Sequence, residues 1–245
     1  MLMNSLTTSR HKITSRIARL YSKLIQTPCL LCGLVTPQHS LCLACAHLLP
    51  PLGHLCERCA LPITLGQQCG QCLIKPPIRH LTHCLFPYQA PIDRLIAALK
   101  YRDQLAIVSF FSQHMTNHLK DHAAAMPDLL MPIPLHPKRL RQRGYNQSAE
   151  LVKALSKQLA IPYDNHSLTR IKNTLPQTSL PYSERKKNIH SAFKCNTRTL
   201  PPHIALIDDV LTTGHTADMA AKALIKNGVK KVEVWTMART IRHHS

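Results

Sequence analysis

Eight cysteines constrain this chain more than any other feature. They fall as four Cys-x-x-Cys pairs: Cys29 with Cys32, Cys42 with Cys45, Cys56 with Cys59, and Cys69 with Cys72. Each of the last four lies 27 residues beyond its counterpart among the first four, so the block is a duplicated unit. A two-residue spacer lets both thiolates of a knuckle reach one tetrahedral ion, and two knuckles complete a closed four-cysteine shell. Consecutive pairing is simplest, with Cys29, Cys32, Cys42 and Cys45 on one ion and Cys56, Cys59, Cys69 and Cys72 on the other; a crossed pairing satisfies the spacing as well. A disulfide framework would need an oxidising compartment that nothing in the sequence indicates. Redox chemistry does not call for four copies in a repeat. Two structural Zn²⁺ ions are therefore expected, because segments this short and this poor in apolar residues do not hold together without metal. Gly33 and Gly70 suit the tight turns of such knuckles. Cys84 and Cys195 stand apart among apolar neighbours and read as buried small hydrophobes.

With 245 residues, the chain has room for one α/β domain of ordinary size besides this module. The organisation expected is a basic amphipathic segment over 1–26, a double zinc ribbon over 27–75 and an α/β domain over 76–245, with Pro76-Pro77 at the last boundary. The formal net charge is +19. Two Zn²⁺ on eight thiolates would lower it by only four, so the chain stays strongly basic. Such a field attracts polyanions: nucleic acid, phosphorylated metabolites or an anionic membrane surface. No apolar run approaches the ~18 residues of a membrane span. The N-terminus shows no compact apolar stretch with a cleavage site, and a cytoplasmic protein is the expectation. Within 1–26, Ile13, Ile17, Leu20 and Leu24 form an apolar helical stripe beside Lys12, Arg16, Arg19 and Lys23. Nucleic-acid contact, a membrane surface and organelle targeting are open roles; a helix docked on its own protein, with a solvated basic edge, is the preferred one.

Residues 204–217 carry the chemistry. Ile204-Ala205-Leu206-Ile207 is short enough for a buried strand, and Asp208-Asp209 follow at its carboxyl end. Thr212, Thr213, Gly214, His215 and Thr216 make a turn. Ala217, Ala220, Ala221, Leu224 and Ile225 then recur at helical spacing, and Asn227-Gly228 supplies the stop. A strand, a hydroxyl-rich turn and a helix start converge backbone N–H groups on an anion, and the helix dipole favours a phosphate there. Gly214 permits close backbone approach. The carboxylates would repel a phosphate, so they face a hydroxylated or cationic part of the same ligand. A ribose 5-phosphate carrying Mg²⁺ fits both halves. A polar turn with an Asp N-cap is the plainer alternative, yet the chain has only 12 acidic residues and Asp208-Asp209 is its one adjacent pair.

A second anion site is predicted upstream. Residues 129–135 read as an apolar strand with prolines that an edge or strand end tolerates. They run into a basic loop holding Lys138, Arg139, Arg141 and Arg143, and then into a helix through Ala149, Leu151, Val152, Leu155 and Leu159. Ligands of parallel sheets bind at the carboxyl ends of strands, and a pyrophosphate would need such cations. A strand over 81–88, helices over 92–100 and 104–120, and a last strand over 231–238 complete the α/β pattern.

The apolar strand, two acids and Thr-Thr-Gly-x-Thr of 204–216 resemble type I phosphoribosyltransferases. That resemblance implies an open parallel sheet flanked by helices. It implies that Asp208 and Asp209 bind the ribose hydroxyls of phosphoribosyl pyrophosphate with Mg²⁺, and that Thr212, Thr213, Gly214, His215 and Thr216 wrap its 5-phosphate. The basic stretch ending in Arg143-Gly144-Tyr145-Asn146-Gln147, and the later Leu168-Thr169-Arg170, Thr174, Gln177, Arg185, Asn188 and Ala192-Phe193, are similar to the ComF/GntX family. Its resemblance covers roughly residues 27–240. It implies a zinc module ahead of a phosphoribosyltransferase domain, Arg139, Arg143 and Lys100 near the pyrophosphate, and a ligand-covering loop over 172–190 with Gln177, Arg185 and Asn188. It also implies a role in DNA uptake during natural transformation, with competence proteins as partners, while the excess of basic charge outside the Thr-Thr-Gly-x-Thr motif favours single-stranded DNA as a further partner. The acceptor is not named by any segment. A non-catalytic DNA-binding competence factor and a donor-sensing regulator stand as alternatives to a phosphoribosyltransferase; no helix-turn-helix pattern supports the regulator.

Overall fold

The computed structural model describes residues 26–37, 40–102, 105–172, 192–197 and 199–241. The N-terminal stripe and the candidates Gln177, Arg185 and Asn188 lie outside them. The chain divides into two compact units, Met1–Leu49 and Pro50–Ser245.

In the first unit, β1 (Gln26–Pro28) pairs antiparallel with β2 (Val35–Pro37), and the short helix α1 (Leu43–Ala46) follows. The Cys29 N–H donates to the Leu34 carbonyl at 2.8 Å and the Gly33 N–H to the Cys29 carbonyl at 2.9 Å. The second unit opens with the same knuckle. Cys56 N–H donates to Leu61 at 2.8 Å and Ala60 N–H to Cys56 at 2.8 Å, with α2 (Gly70–Ile74) after it. The sequence repeat is thus a repeat of backbone geometry. Gly33 takes φ +75, as a tight turn requires, and Ala60, its counterpart, is held at φ +56. Gly70 instead opens a helix and serves no turn.

A four-stranded sheet forms the rest of the second unit. Its strands are β3 (Leu81–Pro87), β4 (Leu129–Pro132), β7 (His203–Leu211) and β8 (Lys231–Arg239), in the order β3-β8-β7-β4 and all parallel. Parallel strands covered on both faces read as near-continuous apolar runs, and β8 is buried from Val232 to Arg239. Ile204, Leu206, Val232 and Val234 pack under α7 (His215–Ile225) and a hairpin of β5 (Leu168–Arg170) with β6 (Phe193–Cys195). The alternate residues Ala205 and Ile207 are equally buried, as a two-residue side-chain period demands. The remaining helices are α3 (Ile92–Arg102), α4 (Leu105–His122), α5 (Pro137–Arg143) and α6 (Gln147–Leu159); α4 packs on α6 and β3, and α6 on β4 and β7.

Three elements differ from expectation. β4 stops at Pro132, because Pro132 and Pro134 offer no N–H and the strand lies at the sheet edge. The basic loop is a helix: His136 caps its N-terminus by accepting from the Lys138 N–H, Pro137 takes the first position and Gly144 ends it. β7 does not end before the acids but continues through Asp208 and Asp209 to Leu211, paired with β8 as far as Arg239. Of the two lone cysteines, Cys84 is buried, while Cys195 is only partly so, packed beside the β7–α7 core.

Candidate functional site

Pairing of β7 with β4 ends at Ile207, whereas pairing with β8 runs on to Leu211. From Asp208 onward β7 is no longer paired with β4, and a cavity of about 190 Å³ opens there. Asp208, Asp209 and Thr216 line it from β7 and α7, Arg139 and Arg143 from α5, and Arg170 from β5. Arg139 and Arg143 share a helix face because they are four residues apart. Lys138 and Arg141 of the same helix are exposed.

Local contacts hold this arrangement. The Asp208 carboxylate accepts from the Asp209 N–H at 3.0 Å and from the Ser148 hydroxyl of α6 at 3.4 Å. Asn146 caps α6 by accepting from the Ser148 N–H at 3.1 Å, and its amide donates to the Ile133 carbonyl at 3.1 Å. Tyr145 donates its hydroxyl to the Leu99 carbonyl, which ties the α5–α6 turn to the end of α3 where Lys100 stands. The side chain of Lys100 lies outside what the structure describes. Burial and the Arg139 charge lower the Arg170 pKa, and the Asp208 carboxylate opposes them; the guanidinium stays protonated throughout the physiological range. It also lies 5.6 Å from the centre of the Phe193 ring.

Gly214 begins α7 at φ +82. A Cβ there would stand 2.8 Å from Nη1 of Arg79. Thr212, Thr213 and His215 are exposed beside the cavity, and only Thr216 of the turn lines it. Arg79 and Asp218, which the sequence did not single out, meet behind the turn at 2.7 Å, with Arg79 only 2% exposed. No local pattern marks Arg79, because its partner lies 139 residues away. Arg170 falls within the Leu-x-Arg motif without standing out there as a site residue; its cavity position arises from the β5–β6 hairpin.

The cysteines form two clusters of four, Cys29, Cys32, Cys42 and Cys45 in one and Cys56, Cys59, Cys69 and Cys72 in the other, each with sulfurs within 4.8 Å of one another. The pairing is therefore consecutive. A tetrahedral ion with Zn–S bonds of about 2.3 Å sets sulfurs about 3.8 Å apart. Cys32 and Cys42 are 3.8 Å apart, and Cys59 and Cys69 are 3.7 Å apart. Backbone N–H groups of Cys42 and Cys69 point at the sulfurs of Cys29 and Cys56 at 3.4 and 3.3 Å. Burial raises the Cys29 and Cys56 thiols, but backbone donors outweigh it and bring them down to about 6 and about 7, whereas the Cys42 thiol and burial push Cys45 up to about 12 and burial pushes Cys59 up to about 11. Both clusters suit a metal ion that takes thiolates.

A parallel α/β sheet with a carboxylate pair and a Thr-Thr-Gly-x-Thr turn, in one chain with two four-cysteine clusters, defines the class: a type I phosphoribosyltransferase fold with two zinc-ribbon-like clusters, one in each compact unit. The chain is 32% identical over 206 residues to the DNA utilization protein YhgH of Escherichia coli K12, covering 82% of this chain and 91% of that protein. It is 31% identical over 210 residues to competence protein F of Haemophilus influenzae Rd, at the same coverage, and 26% identical over 220 residues to competence protein ComFC of Bacillus subtilis 168, covering 84% and 87%. The chain belongs to the ComF family. No family model matches it. Among solved structures it is similar to an adenine phosphoribosyltransferase, with a TM-score of 0.36 and 10% identity over 56% of this chain and 72% of that one. It is also similar to the Trypanosoma cruzi hypoxanthine phosphoribosyltransferase bound to IMP, with a TM-score of 0.32 and 10% identity over 59% and 64%. Likeness at that level is too low to bear on function.

Proposed function

We propose that this protein binds phosphoribosyl pyrophosphate with Mg²⁺ and acts as a phosphoribosyltransferase in the handling of DNA taken up by the cell. One observation carries the reading: a single cavity at the carboxyl end of β7 is lined by Arg139, Arg143 and Arg170 together with Asp208 and Asp209. A ligand that carries both polyanionic and hydroxylated groups suits that lining. Asp208 and Asp209 would accept from the ribose hydroxyls and stabilise positive charge growing at the anomeric carbon as the carbon–oxygen bond to pyrophosphate breaks. The turn from Thr212 to Thr216 would hold the 5-phosphate with backbone N–H groups. Arg139, Arg143 and Lys100 would neutralise the departing pyrophosphate, with Arg170 added by its place in the cavity. Mg²⁺, when bound with the donor, supplies further charge neutralisation. Positioning and electrostatics are the whole of the protein's contribution on this account. The cysteine clusters would hold two structural Zn²⁺, in a cytoplasmic protein organised as a basic segment, a zinc module over 27–75 and a transferase domain over 76–245.

A second role, binding of single-stranded DNA, is favoured by the exposed Lys138 and Arg141 on the outer face of α5 and by the net charge of +19. The relatives named for competence and DNA utilization support it. Pyrophosphate release measured across nucleobase and amine acceptors tests the transferase. Release that depends on Asp208 is the expected result. Donor binding with no release from any acceptor would leave a binding platform in place of an enzyme.

A further inference from the structure

Two buried arginines join the second cysteine cluster to the turn that begins α7. Arg239, 5% exposed, donates its Nε to the Cys59 carbonyl at 2.9 Å and its Nη1 to the Leu211 carbonyl at 2.8 Å. Leu211 is the last residue before Thr212. On the other side, the Thr82 N–H donates to the Glu57 carbonyl at 2.7 Å and the Thr82 hydroxyl to the Arg58 carbonyl at 2.7 Å. The same hydroxyl accepts from Arg79 Nε at 2.9 Å. Arg79 in turn reaches Asp218 of α7 at 2.7 Å and fills the space against Gly214. Three successive carbonyls of the Cys56–Cys59 knuckle, those of Glu57, Arg58 and Cys59, are thus spent on groups that fix both ends of the 212–216 turn.

A solvated knuckle would not present three carbonyls in fixed directions. Its own backbone bonds, Cys56 to Leu61 and Ala60 to Cys56, close the turn, but no disulfide joins the four sulfurs, and an ion ligated by all of them would fix the knuckle against its partner. The guanidinium groups have little freedom of their own. Each is desolvated, and each carbonyl it lost would leave a buried donor unpaired. Displacement of the knuckle therefore moves Arg79 and Arg239, and with them the turn.

We propose that metal on Cys56, Cys59, Cys69 and Cys72 sets the anion affinity of the 212–216 turn, with Thr82, Arg79 and Arg239 as the positioning residues that transmit it. The inference rests on the reading that this turn binds a phosphate. Coupling between two sites is reciprocal: if the metal tightens phosphate binding, phosphate must tighten the metal by the same factor. All the bonds involved lie within the unit Pro50–Ser245, whereas the first cluster belongs to the other unit.

The test uses the full-length, zinc-loaded protein and ribose 5-phosphate, a probe that needs no Mg²⁺ and so leaves a chromophoric chelator free to report zinc alone. Zinc released to the chelator at equilibrium is measured with and without saturating probe. The expected result is that the probe tightens one of the two ions by about fivefold or more and leaves the other unchanged. Cys32→Ser, which removes a ligand of the first cluster, should retain the tightened ion. Thr82→Val keeps the side-chain volume but removes the hydroxyl, which leaves Arg79 Nε and the Arg58 carbonyl unpaired; it should lower the melting temperature by a few degrees and abolish the tightening while both zinc ions stay bound in the absence of chelator. Thr82→Ser restores the hydroxyl and should restore the effect. Calorimetry on the same samples separates the two claims. Probe that binds without altering release of either ion overturns the coupling alone; probe that fails to bind at all overturns the phosphate reading and the coupling with it.

Discussion

The Arg79 guanidinium occupies the space that a side chain at Gly214 would take, with Nη1 2.8 Å from the Cβ position. Gly214 also holds φ +82, a conformation that costs an L-residue roughly 1–2 kcal/mol. Gly214→Ala should therefore do two things. It should lower stability by about 1–3 kcal/mol, and it should remove the response to phosphorylated ligands by pushing the turn off Arg79. Thermal melts with and without ribose 5-phosphate measure both. An alanine variant that still binds the probe normally would mean that the turn is not the anion site.

The sulfur spacings of 3.8 and 3.7 Å predict two Zn²⁺ per chain. Elemental analysis of purified protein counts them. Cys69→Ser should leave one ion and lower the melting temperature, since its cluster has little apolar packing beyond Leu61 and Ile63. A folded, metal-free wild-type protein would contradict the assignment.

Stability should fall on acidification through a histidine group under the sheet. Burial, with the nearby His83 and His122 charges, lowers the His118 pKa to about 4, against the opposing pull of Asp121. His83, at 3.3 Å from His118, is lowered by burial despite Glu233, itself contacted by His203 and Lys231. In the unfolded chain a histidine takes its proton near pH 6.5. Between about 6.5 and 4 the unfolded state thus binds more protons, so stability is full above that window and is lost as pH falls through it. The loss from His118 should be on the order of 1–3 kcal/mol. Comparing denaturant melts of wild type and His118→Gln across pH 4–7 isolates it, because the zinc thiolates are common to both. Parallel curves would remove His118 as the cause.

For single-stranded DNA, phosphate contacts should dominate, since aromatic residues make up only 4% of the chain. Affinity should fall steeply with salt. Substituting Lys138 and Arg141 by Gln should flatten the logarithmic salt slope by about 1.4 and spare donor binding. Substituting Arg139 and Arg143 should weaken the donor instead. The same slopes for all variants would dismiss α5 as the DNA surface.

Much of this was legible in the sequence, and the omissions have physical causes. The four Cys-x-x-Cys pairs and their 27-residue repeat were legible, but not which pairs share an ion: a crossed arrangement satisfied the spacing as well, and only the folded clusters decide it. The four strands of the parallel sheet and the longer apolar helices announced themselves by period, down to Ala217, Ala220, Ala221 and Leu224, all buried in α7; the three-residue strands β1, β2, β5 and β6 are too short to show one. Helix α5 escaped because it has no buried residue and hence no apolar period; only His136-Pro137 and Gly144 marked its ends. The extension of β7 through Asp208 and Asp209 depends on the register with β8, which no local pattern contains. Arg79 and Arg239 act through partners 139 and 180 residues away. Such contacts exist only once the chain has folded.

The central claim is that the cavity between α5 and the end of β7 binds phosphoribosyl pyrophosphate. The melting temperature in the presence of that ligand and Mg²⁺ tests it most directly, because a ligand that binds only the native state must stabilise it. At about a hundred times its dissociation constant the gain is about 2.7 kcal/mol, which for a chain of this size raises the melting temperature by roughly 5–10 °C. Asp208→Ala combined with Asp209→Ala should fold, lose the shift and keep both zinc ions. A wild-type protein with no shift, or a double variant with an undiminished one, would contradict the account.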